Sequence, residues 1–378
     1  MKILVGGDFS PCYRLDTLIR ERLFEDIFKG VIDVFRGNDF NIINFETTVA
    51  KPEFKSIDKI GARLKTTPEA CEALKYLGVD IVTLANNHAF DYGLPGLQLT
   101  LEHLEKQGIK SVGVGLTLEE AREPLYVKKR NETLAIVNCC EHEYGIATRK
   151  QAGTNPLDLI SQYKAITEAK KKADYVLVIV HGGSEQYQLP SPRMQDTYRY
   201  FIEVGADAVV NHHQHCYSGM EVYCGKPIYY GLGNFAFDAL LRPWPNGWCE
   251  GILVQLEFTP EGVKHKTFSY EQFRDTPSVD LLKDRSAFDE KFKSLCDVIV
   301  NRDMLEEEAE KYFKQSERYL LTKFQPWPGR YLKGAFYRGW LPSLVSQQDL
   351  AWIQNIVLCQ SHRDKFEYFL NHNARGIY

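Results

Sequence analysis

The sequence predicts an α/β fold in which a parallel or mixed sheet is flanked by helices. Strand and helix patterns alternate through the first hundred of the 378 residues, which is typical of layered α/β domains. Five apolar segments of β-type residues end abruptly in polar side chains, as expected for strands that are buried on both faces. Two alternating segments flank residues 259–262 and predict a hairpin, which adds antiparallel pairing.

Residues typical of helix ends, together with apolar periodicity, predict the bounds of the helices and strands in the first half of the chain. The helix over residues 69–77 has the fullest set, because Thr67 is a suitable N-cap, Pro68 suits the first helical position and Gly78 ends the pattern. The other elements follow from apolar periodicity. They are strands over 2–7, 40–45, 81–84 and 111–116, helices over 17–28, 93–108 and 118–122, and a hairpin of 125–129 with 133–139.

The second half continues the alternation and then changes character. Its predicted strands are 175–180, 208–210 and 227–237, its helices are 158–173 and 194–204, and the hairpin of 251–258 with 263–270 is expected to finish the second sheet. From residue 278 onward the pattern is helical, over 288–300, 304–321 and 347–368. The sequence therefore predicts an α/β domain over residues 1–272 and a mostly helical region over residues 273–378.

Composition and charge exclude some classes of function. The formal net charge of −4 argues against a protein that grips nucleic acid, because such domains are usually basic. There is no run of about 18 apolar residues, and Met1 leads directly into a predicted strand rather than a signal peptide. We therefore expect a cytoplasmic protein without a membrane span.

The polar residues at the ends of the five strands form one candidate site. Ligands bind at the carboxyl ends of strands in open α/β sheets. Carboxylate and neutral imidazole are ligands that borderline divalent metals prefer. One polar strand end is ordinary, but five endings with only ligand-competent side chains point to a shared metal site. The residues are Asp8, Glu46, Asn86, Asn87, His88, His181, Asn211, His212, His213 and His215.

Two further segments belong to the same prediction. On an extended chain His213 and His215 would point the same way, about 7 Å apart, while His212 would face the other way and pack. Asn234 ends another predicted strand at this edge. His142, in a polar Glu-His-Glu ending, is either a substrate contact or an exposed loop histidine.

These motifs, taken in order, resemble the CapA family of bacterial capsule and poly-γ-glutamate synthesis proteins, which is related to the calcineurin-like metallophosphoesterases. The resemblance covers roughly residues 1–240. It is carried by Gly7-Asp8, Asn44-Phe45-Glu46, Leu84-Ala85-Asn86-Asn87-His88 with Asp91-Tyr92-Gly93, His181-Gly182-Gly183 with Glu185, His213-Gln214-His215 and Gly231-Leu232-Gly233-Asn234-Phe235.

The resemblance implies an αββα sandwich of the metallophosphoesterase type, with a C-terminal helical extension and a centre for one or two divalent ions. Mn, Zn and Fe are not distinguished. Ser10 stands where those enzymes usually carry a histidine, so occupancy by a single ion stays open. The implied ligands are Asp8, Glu46 and His215 for one ion and Glu46, Asn87, His181 and His213 for the other, with Glu46 bridging and His88 as general acid or as donor to developing negative charge.

The resemblance implies a metal-dependent hydrolase of capsule or poly-γ-glutamate biosynthesis, acting on an amide, γ-glutamyl or phosphoester bond through a metal-activated water. The alternative is a non-catalytic accessory or assembly protein that keeps the fold. The expected partners are a small or polymeric acidic substrate and other capsule-biosynthesis proteins. Candidate substrate-binding residues are Asn86, His142, Glu185, Asn234, Arg63, Lys65 and Arg193, of which the three basic ones are either carboxylate ligands or simply solvated.

Overall fold

The structure is a computed structural model and describes residues 1–59, 61–239 and 247–358. The end of the predicted helix over 347–368 lies outside the described residues. The chain divides into two compact units, Met1–Leu305 and Glu306–Tyr378. The first unit extends past the boundary at residue 272 that the sequence predicts, and that boundary as a division of function stays a prediction.

Strands and helices alternate through most of the first unit, as the sequence predicts. The strands are β1 (Lys2–Phe9), β2 (Phe40–Phe45), β3 (Thr48–Val49), β4 (Lys65–Thr66), β5 (Ile81–Thr83), β6 (Lys110–Val112), β7 (Val114–Gly115), β8 (Leu125–Lys129), β9 (Glu132–Cys140), β10 (Gly153–Thr154), β11 (Tyr175–His181), β12 (Ala208–His212), β13 (Met220–Tyr223), β14 (Lys226–Tyr229), β15 (Asn234–Ala236), β16 (Glu250–Thr259), β17 (Gly262–Gln272) and β18 (Val279–Leu281). The helices are α1 (Tyr13–Arg20), α2 (Phe24–Phe28), α3 (Ile32–Phe35), α4 (Glu69–Leu77), α5 (Gly93–Lys106), α6 (Leu118–Arg122), α7 (Leu159–Lys172), α8 (Pro192–Glu203), α9 (Ser286–Val300), α10 (Arg302–Phe324), α11 (Gly329–Tyr337) and α12 (Gln347–Leu358).

Two mixed sheets form the centre of the first unit. The first sheet has the order β18-β17-β16-β1-β2-β5-β6, with β15 also paired to β1. The second has the order β13-β14-β12-β11-β9-β8. Strands β1, β2, β5 and β6 are parallel to one another, and so are β9, β11, β12 and β14. The carboxyl ends of these parallel strands supply the candidate site.

The alternation of side chains along β1 shows how the layers stack. Ile3 and Val5 pack in the core that contains the second sheet, whereas Leu4 packs in a separate core with residues of α1 and α4. Helices α7 and α8 pack against strands of the second sheet. The order is helix, sheet, sheet, helix, so the predicted αββα sandwich is confirmed, and the chain continues into the helices α10, α11 and α12.

Two details of the predicted helices are wrong. The helix over 17–28 is two helices, α1 and α2, because Arg22 adopts a left-handed backbone conformation with φ of +58° and interrupts the helical hydrogen bonds. Helix α4 has its predicted extent and ends at Gly78 with φ of +88°, but its cap position is Pro68 and no side chain caps it. Thr67 therefore does not have the predicted capping role.

The predicted strand over 227–237 is also wrong, because the chain crosses between the two sheets within it. Strand β14 lies in the second sheet, and β15 pairs with β1 in the first. Gly233, with φ of +78°, makes the crossing possible. Its carbonyl oxygen would lie 1.9 Å from a Cβ at Gly7, so this close approach requires glycine at position 7. Residues 111–116 likewise form two short strands, β6 and β7, in different sheets.

The C-terminal hairpin completes the first sheet rather than the second, contrary to the prediction. Strand β16 pairs antiparallel with β1, with Val5 opposite Val254. Ile252, Val254 and Leu256 pack in the core between the sheets, so the inward face of β16 continues that of β1.

The second unit contains most of α10 together with α11 and α12. Within it the Gln325 amide donates to Ser343 Oγ at 2.9 Å and accepts from the Leu344 backbone amide at 2.9 Å. Within residues 1–59, 61–239 and 247–358, no helix has the length and apolar character that crossing a bilayer requires.

Candidate metal centre

The ends of four strands bring carboxylates and imidazoles together. Asp8 lies near the end of β1, Glu46 follows β2, and His181 ends β11, whereas His213 and His215 follow β12. The ligand atoms of Glu46, His181 and His213 lie within 4.8 Å of one another. The same holds for Asp8, Glu46 and His215. The two groups share Glu46, which is the arrangement that the family resemblance implies.

Glu46 is a buried carboxylate that lacks a hydrogen-bond donor among the described residues. Its side chain is fully buried, and neither carboxylate oxygen accepts a hydrogen bond from that part of the chain. His181 Nε2 and His215 Nε2 lie 3.5 and 3.7 Å from its Oε1. Burial raises the pKa of the Glu46 carboxyl to about 8. Burial of such a group is costly unless a partner compensates for the lost solvation, and a cation between these residues would do so.

Asp8 is held in the ionised form by its neighbours. The Asn44 amide donates to Oδ1 at 2.7 Å, and the backbone amide of His213 donates to Oδ2 at 3.3 Å. Burial raises the pKa of the Asp8 carboxyl, but the hydrogen bond with His215 and the nearby histidines outweigh burial and hold that pKa below its ordinary value. Asn44 Nδ2 also lies 3.2 Å from Nδ1 of His181, so one amide contacts a residue of each group.

Burial keeps two of the histidines neutral. It lowers the pKa of His181 to about 3 and that of His213 well below the ordinary value. Burial also lowers the pKa of His215, but the carboxylates of Glu46 and Asp8 outweigh it and raise that pKa to about 10. Neutral imidazole is the form that binds metal, and a cation here would displace the proton that His215 carries.

The His213-Gln214-His215 segment is not extended, contrary to the prediction. His213 and His215 have φ of +92° and +55°, and their ring centroids lie 6.1 Å apart. Because both residues have a left-handed backbone, the loop after β12 turns and both rings face Glu46. The alternating side chains of an extended strand would not give this arrangement. His212 faces the other way as predicted, and its Nε2 donates to the Gly6 carbonyl oxygen at 3.0 Å.

His88 belongs to a buried charge cluster beside the two ligand groups. Its Nδ1 donates to Asp91 Oδ2 at 2.6 Å, and Lys59 Nζ lies 2.5 Å from Asp91 Oδ1. Lys59 also donates to the Asn87 carbonyl oxygen at 2.8 Å. The Lys59 and Asp91 side chains are 2% and 0% exposed, so this ion pair has almost no access to water.

The Lys59→Met variant should be destabilised by about 3–5 kcal/mol, because it leaves part of the buried Asp91 charge uncompensated. Urea unfolding of the metal-free protein measures this loss. The matched control is Lys55→Met, at an exposed lysine in the same loop, which should change stability by less than about 0.5 kcal/mol. Equal stability of the two variants would show that the Lys59 ion pair makes no net contribution to the free energy of unfolding.

A cavity of about 320 Å³ opens beside these residues. Its lining includes four residues of the predicted site, namely Asn87, His88, Glu185 and His215. Its other described lining residues include side chains for which the sequence analysis predicts no role, namely Lys59, Glu143, Tyr144, Gln186, Phe237 and Trp248. The cavity therefore combines carboxylates, a buried cation and aromatic rings at the mouth of the candidate centre.

Several predicted substrate-binding residues lie elsewhere or make structural contacts. Arg63 donates to backbone carbonyls of its own loop, Lys65 lies over the Tyr92 ring, and Arg193 pairs with Glu141. His142 is exposed. These four are absent from the described lining of the cavity. Asn86 is buried, and its amide donates to the Phe45 carbonyl oxygen at 2.9 Å. Asn234 Oδ1 accepts from His215 Nδ1 at 2.9 Å. The substrate-binding roles of all six residues stay predictions.

Comparisons with known proteins find a matching family and several relatives of this chain. Residues 2–239 match the family model for Bacterial capsule synthesis protein PGA_cap. The chain is 34% identical over 263 residues to the PGA biosynthesis protein CapA of Bacillus subtilis, covering 68% of this chain and 67% of that protein. It is 30% identical over 268 residues to the capsule biosynthesis protein CapA of Bacillus anthracis, covering 68% and 63%. A probable polyglutamine synthesis accessory protein of Mycobacterium tuberculosis is 32% identical over 216 residues, covering 53% and 56%.

The chain thus matches between 56% and 67% of the length of these relatives. Among solved structures, a hypothetical protein from Thermus thermophilus has a TM-score of 0.45 at 16% identity, covering 72% of this chain and 99% of that one. A phosphatase from Mycoplasma pneumoniae has a TM-score of 0.43 at 15% identity, covering 71% and 92%.

Proposed function

The chain belongs to the family of bacterial capsule synthesis proteins PGA_cap, and we propose that it is a metal-dependent hydrolase of capsule or poly-γ-glutamate biosynthesis. The observation that carries the proposal is the pair of three-residue ligand groups that share Glu46, a carboxylate whose two oxygens have no hydrogen-bond donor within residues 1–59, 61–239 and 247–358. Burial of such a group is costly, and a bound cation would compensate for that cost. Because the chain matches two thirds or less of its relatives' length, the activity of the whole protein is part of this proposal.

The proposed centre holds one or two divalent ions. Asp8, Glu46 and His215 serve the first ion, and Glu46, Asn87, His181 and His213 serve the second. Asn87 fits this set because its Oδ1 lies 3.1 Å from His181 Nε2. Carboxylate, amide oxygen and imidazole suit Mn, Zn and Fe alike. Ions bound at such a centre lower the pKa of a bound water and stabilise negative charge that develops on oxygen.

His88 is the proposed general acid. Its Nδ1 donates to Asp91, which fixes the ring and leaves Nε2 available to a substrate in the cavity that His88 lines. Lys59 compensates the charge of Asp91 and holds the peptide carbonyl of Asn87, so it keeps His88 and a ligand residue in place together. In this scheme Nε2 would give its proton to the departing group as the scissile bond breaks.

The substrate is proposed to be a small or polymeric acidic molecule, and the bond an amide or γ-glutamyl bond. Relatives named for PGA and capsule biosynthesis support this choice over phosphoester cleavage. Within the described lining of the cavity the cationic side chain is Lys59, which is already paired, so the metal ions would be the main attraction for a carboxylate. The cytoplasmic location expected from the sequence is a further proposal, which cell fractionation would test.

The second candidate function is a non-catalytic accessory or assembly protein of the same pathway. The Mycobacterium tuberculosis relative is named as a polyglutamine synthesis accessory protein, which favours it. Metal content separates the two candidates. A hydrolase should retain a divalent ion, whereas an accessory protein that keeps only the fold need not.

Elemental analysis of the purified chain should find about one or two divalent ions, and removal of the metal with a chelator should abolish turnover of γ-glutamyl or phosphoester model compounds. Restoring Mn²⁺, Zn²⁺ or Fe²⁺ should recover it, and the ion that does so identifies the metal. Metal should also raise the midpoint of thermal unfolding, because it binds only the folded chain. Absence of bound metal together with no turnover after each ion is added would favour the accessory function.

A further inference from the structure

The loop after β9 places a carboxylate against two of the proposed ligands. Glu143 Oε2 accepts a hydrogen bond from Asn87 Nδ2 at 2.8 Å. Glu143 Oε1 lies 3.6 Å from Nε2 of His213. Asn87 and His213 come from parts of the chain more than a hundred residues apart, and both belong to the ligand set of the same proposed ion. The two oxygens of one side chain therefore face both of these residues.

These contacts determine which atoms face the centre. Because the Asn87 amide nitrogen points to Glu143, its oxygen points to the cluster, where Oδ1 lies 3.1 Å from His181 Nε2. In His213 the nitrogen near Glu143 is Nε2, and Nδ1 lies 3.0 Å from His181 Nε2. A flipped amide would present its nitrogen, which cannot bind a cation. Glu143 thus favours the orientation in which each residue can act as a ligand.

The loop that carries Glu143 is itself well anchored. Gly145 turns the chain with φ of +68°, and a Cβ there would lie 2.5 Å from Cβ of Phe90. The Tyr144 ring lies against Lys59, with Nζ 5.2 Å from the ring centroid. Lys59 in turn holds the Asn87 carbonyl oxygen. Asn87 is therefore held at its backbone by Lys59 and at its side chain by Glu143, and Lys59 also contacts Tyr144, the residue next to Glu143.

We propose that Glu143 is a positioning residue for the metal centre, which orients Asn87 and His213 toward the ion that they share with Glu46 and His181. The inference rests on the proposed metal-dependent function. Outer residues that contact metal ligands fix the orientation of those ligands, and their loss typically weakens metal affinity about 10–100-fold. Glu143 does so through its hydrogen bond with Asn87 and its charge beside His213. Glu143 acts on the ion through two ligands at once and is not itself a member of either ligand group.

A second carboxylate in the cavity provides the matched control. Glu185 is exposed and lines the same cavity, so its removal deletes the same charge. If Glu143 acted only as a negative charge that attracts cations, Glu143→Ala and Glu185→Ala would weaken metal binding equally. If Glu143 acts by orienting ligands, only its own replacement has a large effect.

The experiment is a titration of the metal-free full chain with Mn²⁺, monitored by calorimetry. Elemental analysis at a fixed concentration of free Mn²⁺ then counts the bound ions. Glu143→Ala should raise the dissociation constant of one Mn²⁺ about 10–100-fold. Glu143→Gln should lie between Glu143→Ala and the wild type, because its amide retains one acceptor oxygen for either Asn87 or His213. The dissociation constant of Glu185→Ala for Mn²⁺ should stay within about threefold of the wild-type value, because this variant loses only a solvent-screened charge at the mouth of the cavity.

Each outcome decides a separate point. Wild-type affinity in Glu143→Ala, or an equal loss in Glu143→Ala and Glu185→Ala, overturns the positioning role while the metal centre stands. A wild-type chain that binds no Mn²⁺, Zn²⁺ or Fe²⁺ overturns the proposed function itself. The midpoint of thermal unfolding of the metal-free Glu143→Ala variant should match that of the wild type, since the Glu143 side chain is 40% exposed. A large drop there would assign Glu143 a role in folding and overturn the proposal.

Discussion

Replacement of Glu46 by glutamine should remove metal binding at both ligand groups and abolish turnover. Glu46 is the residue that the two groups share, so its loss affects both at once, whereas loss of His213 or of His215 affects one. A neutral amide supplies one oxygen and a nitrogen that repels cations. We expect bound metal to fall close to zero and kcat/KM to drop by about 10³-fold or more, since such ions supply several kcal/mol of charge stabilisation.

The same substitution should stabilise the metal-free protein at alkaline pH. The pKa of the Glu46 carboxyl is raised by burial to about 8, so the folded chain retains a proton that the unfolded chain releases near pH 4.5. The contribution of Glu46 to the stability of the metal-free wild type therefore falls as pH rises from about 4.5 to 8, and glutamine removes this penalty. Urea unfolding should find Glu46→Gln about as stable as the wild type at pH 5 and about 1–3 kcal/mol more stable at pH 8.

A substitution that abolishes turnover but stabilises the metal-free protein identifies a residue that is retained for its ligand chemistry. Glu105→Gln, at an exposed glutamate of α5, is the control and should change neither bound metal nor the pH dependence. Full metal content in Glu46→Gln would contradict the shared carboxylate, and a loss of stability at pH 8 would contradict the account of its burial.

The fold was predictable because its signals are local and repeated. Apolar runs that end in polar residues identified β1, β2, β5, β11 and β12, and parallel pairing then required their ends to meet. The crossing at Gly233 was not predictable, because Pro227 to Phe237 keeps the composition of one strand while its halves pair in different sheets. Composition reports whether a segment is buried and extended, but the pairing partner depends on the rest of the chain.

The convergence of the candidate ligand residues was predictable from the sequence, whereas their supporting contacts were not. Asp8, Glu46 and His181 stand at strand ends, where sequence position implies spatial position. Lys59 and Glu143 lie in loops, and a loop lysine or glutamate is usually solvated, so nothing local distinguishes them. The left-handed backbone of His213 and His215 is equally invisible in sequence, because histidine rarely adopts it and the surrounding fold must impose it.

Replacement of His88 by glutamine should lower kcat by about 10²–10⁴-fold and leave bound metal unchanged, which is the effect of losing a general acid rather than a ligand. His88 lines the cavity and donates through Nδ1 to Asp91, yet it belongs to neither ligand group. Glutamine can keep a hydrogen bond to Asp91 but has no group that gives up a proton near neutral pH. Steady-state kinetics with elemental analysis of the same preparation measure both quantities.

The comparison of substrates makes this prediction sharper. A general acid matters most when the leaving group is basic, so His88→Gln should impair a γ-glutamyl amide far more than an activated aryl ester, whose leaving group departs without a proton. His103→Gln, on α5, is the control at a histidine outside the cavity lining and should leave both rates unchanged. Equal impairment of both substrates would assign His88 to charge stabilisation instead, and loss of metal in the variant would make it part of the metal-binding structure.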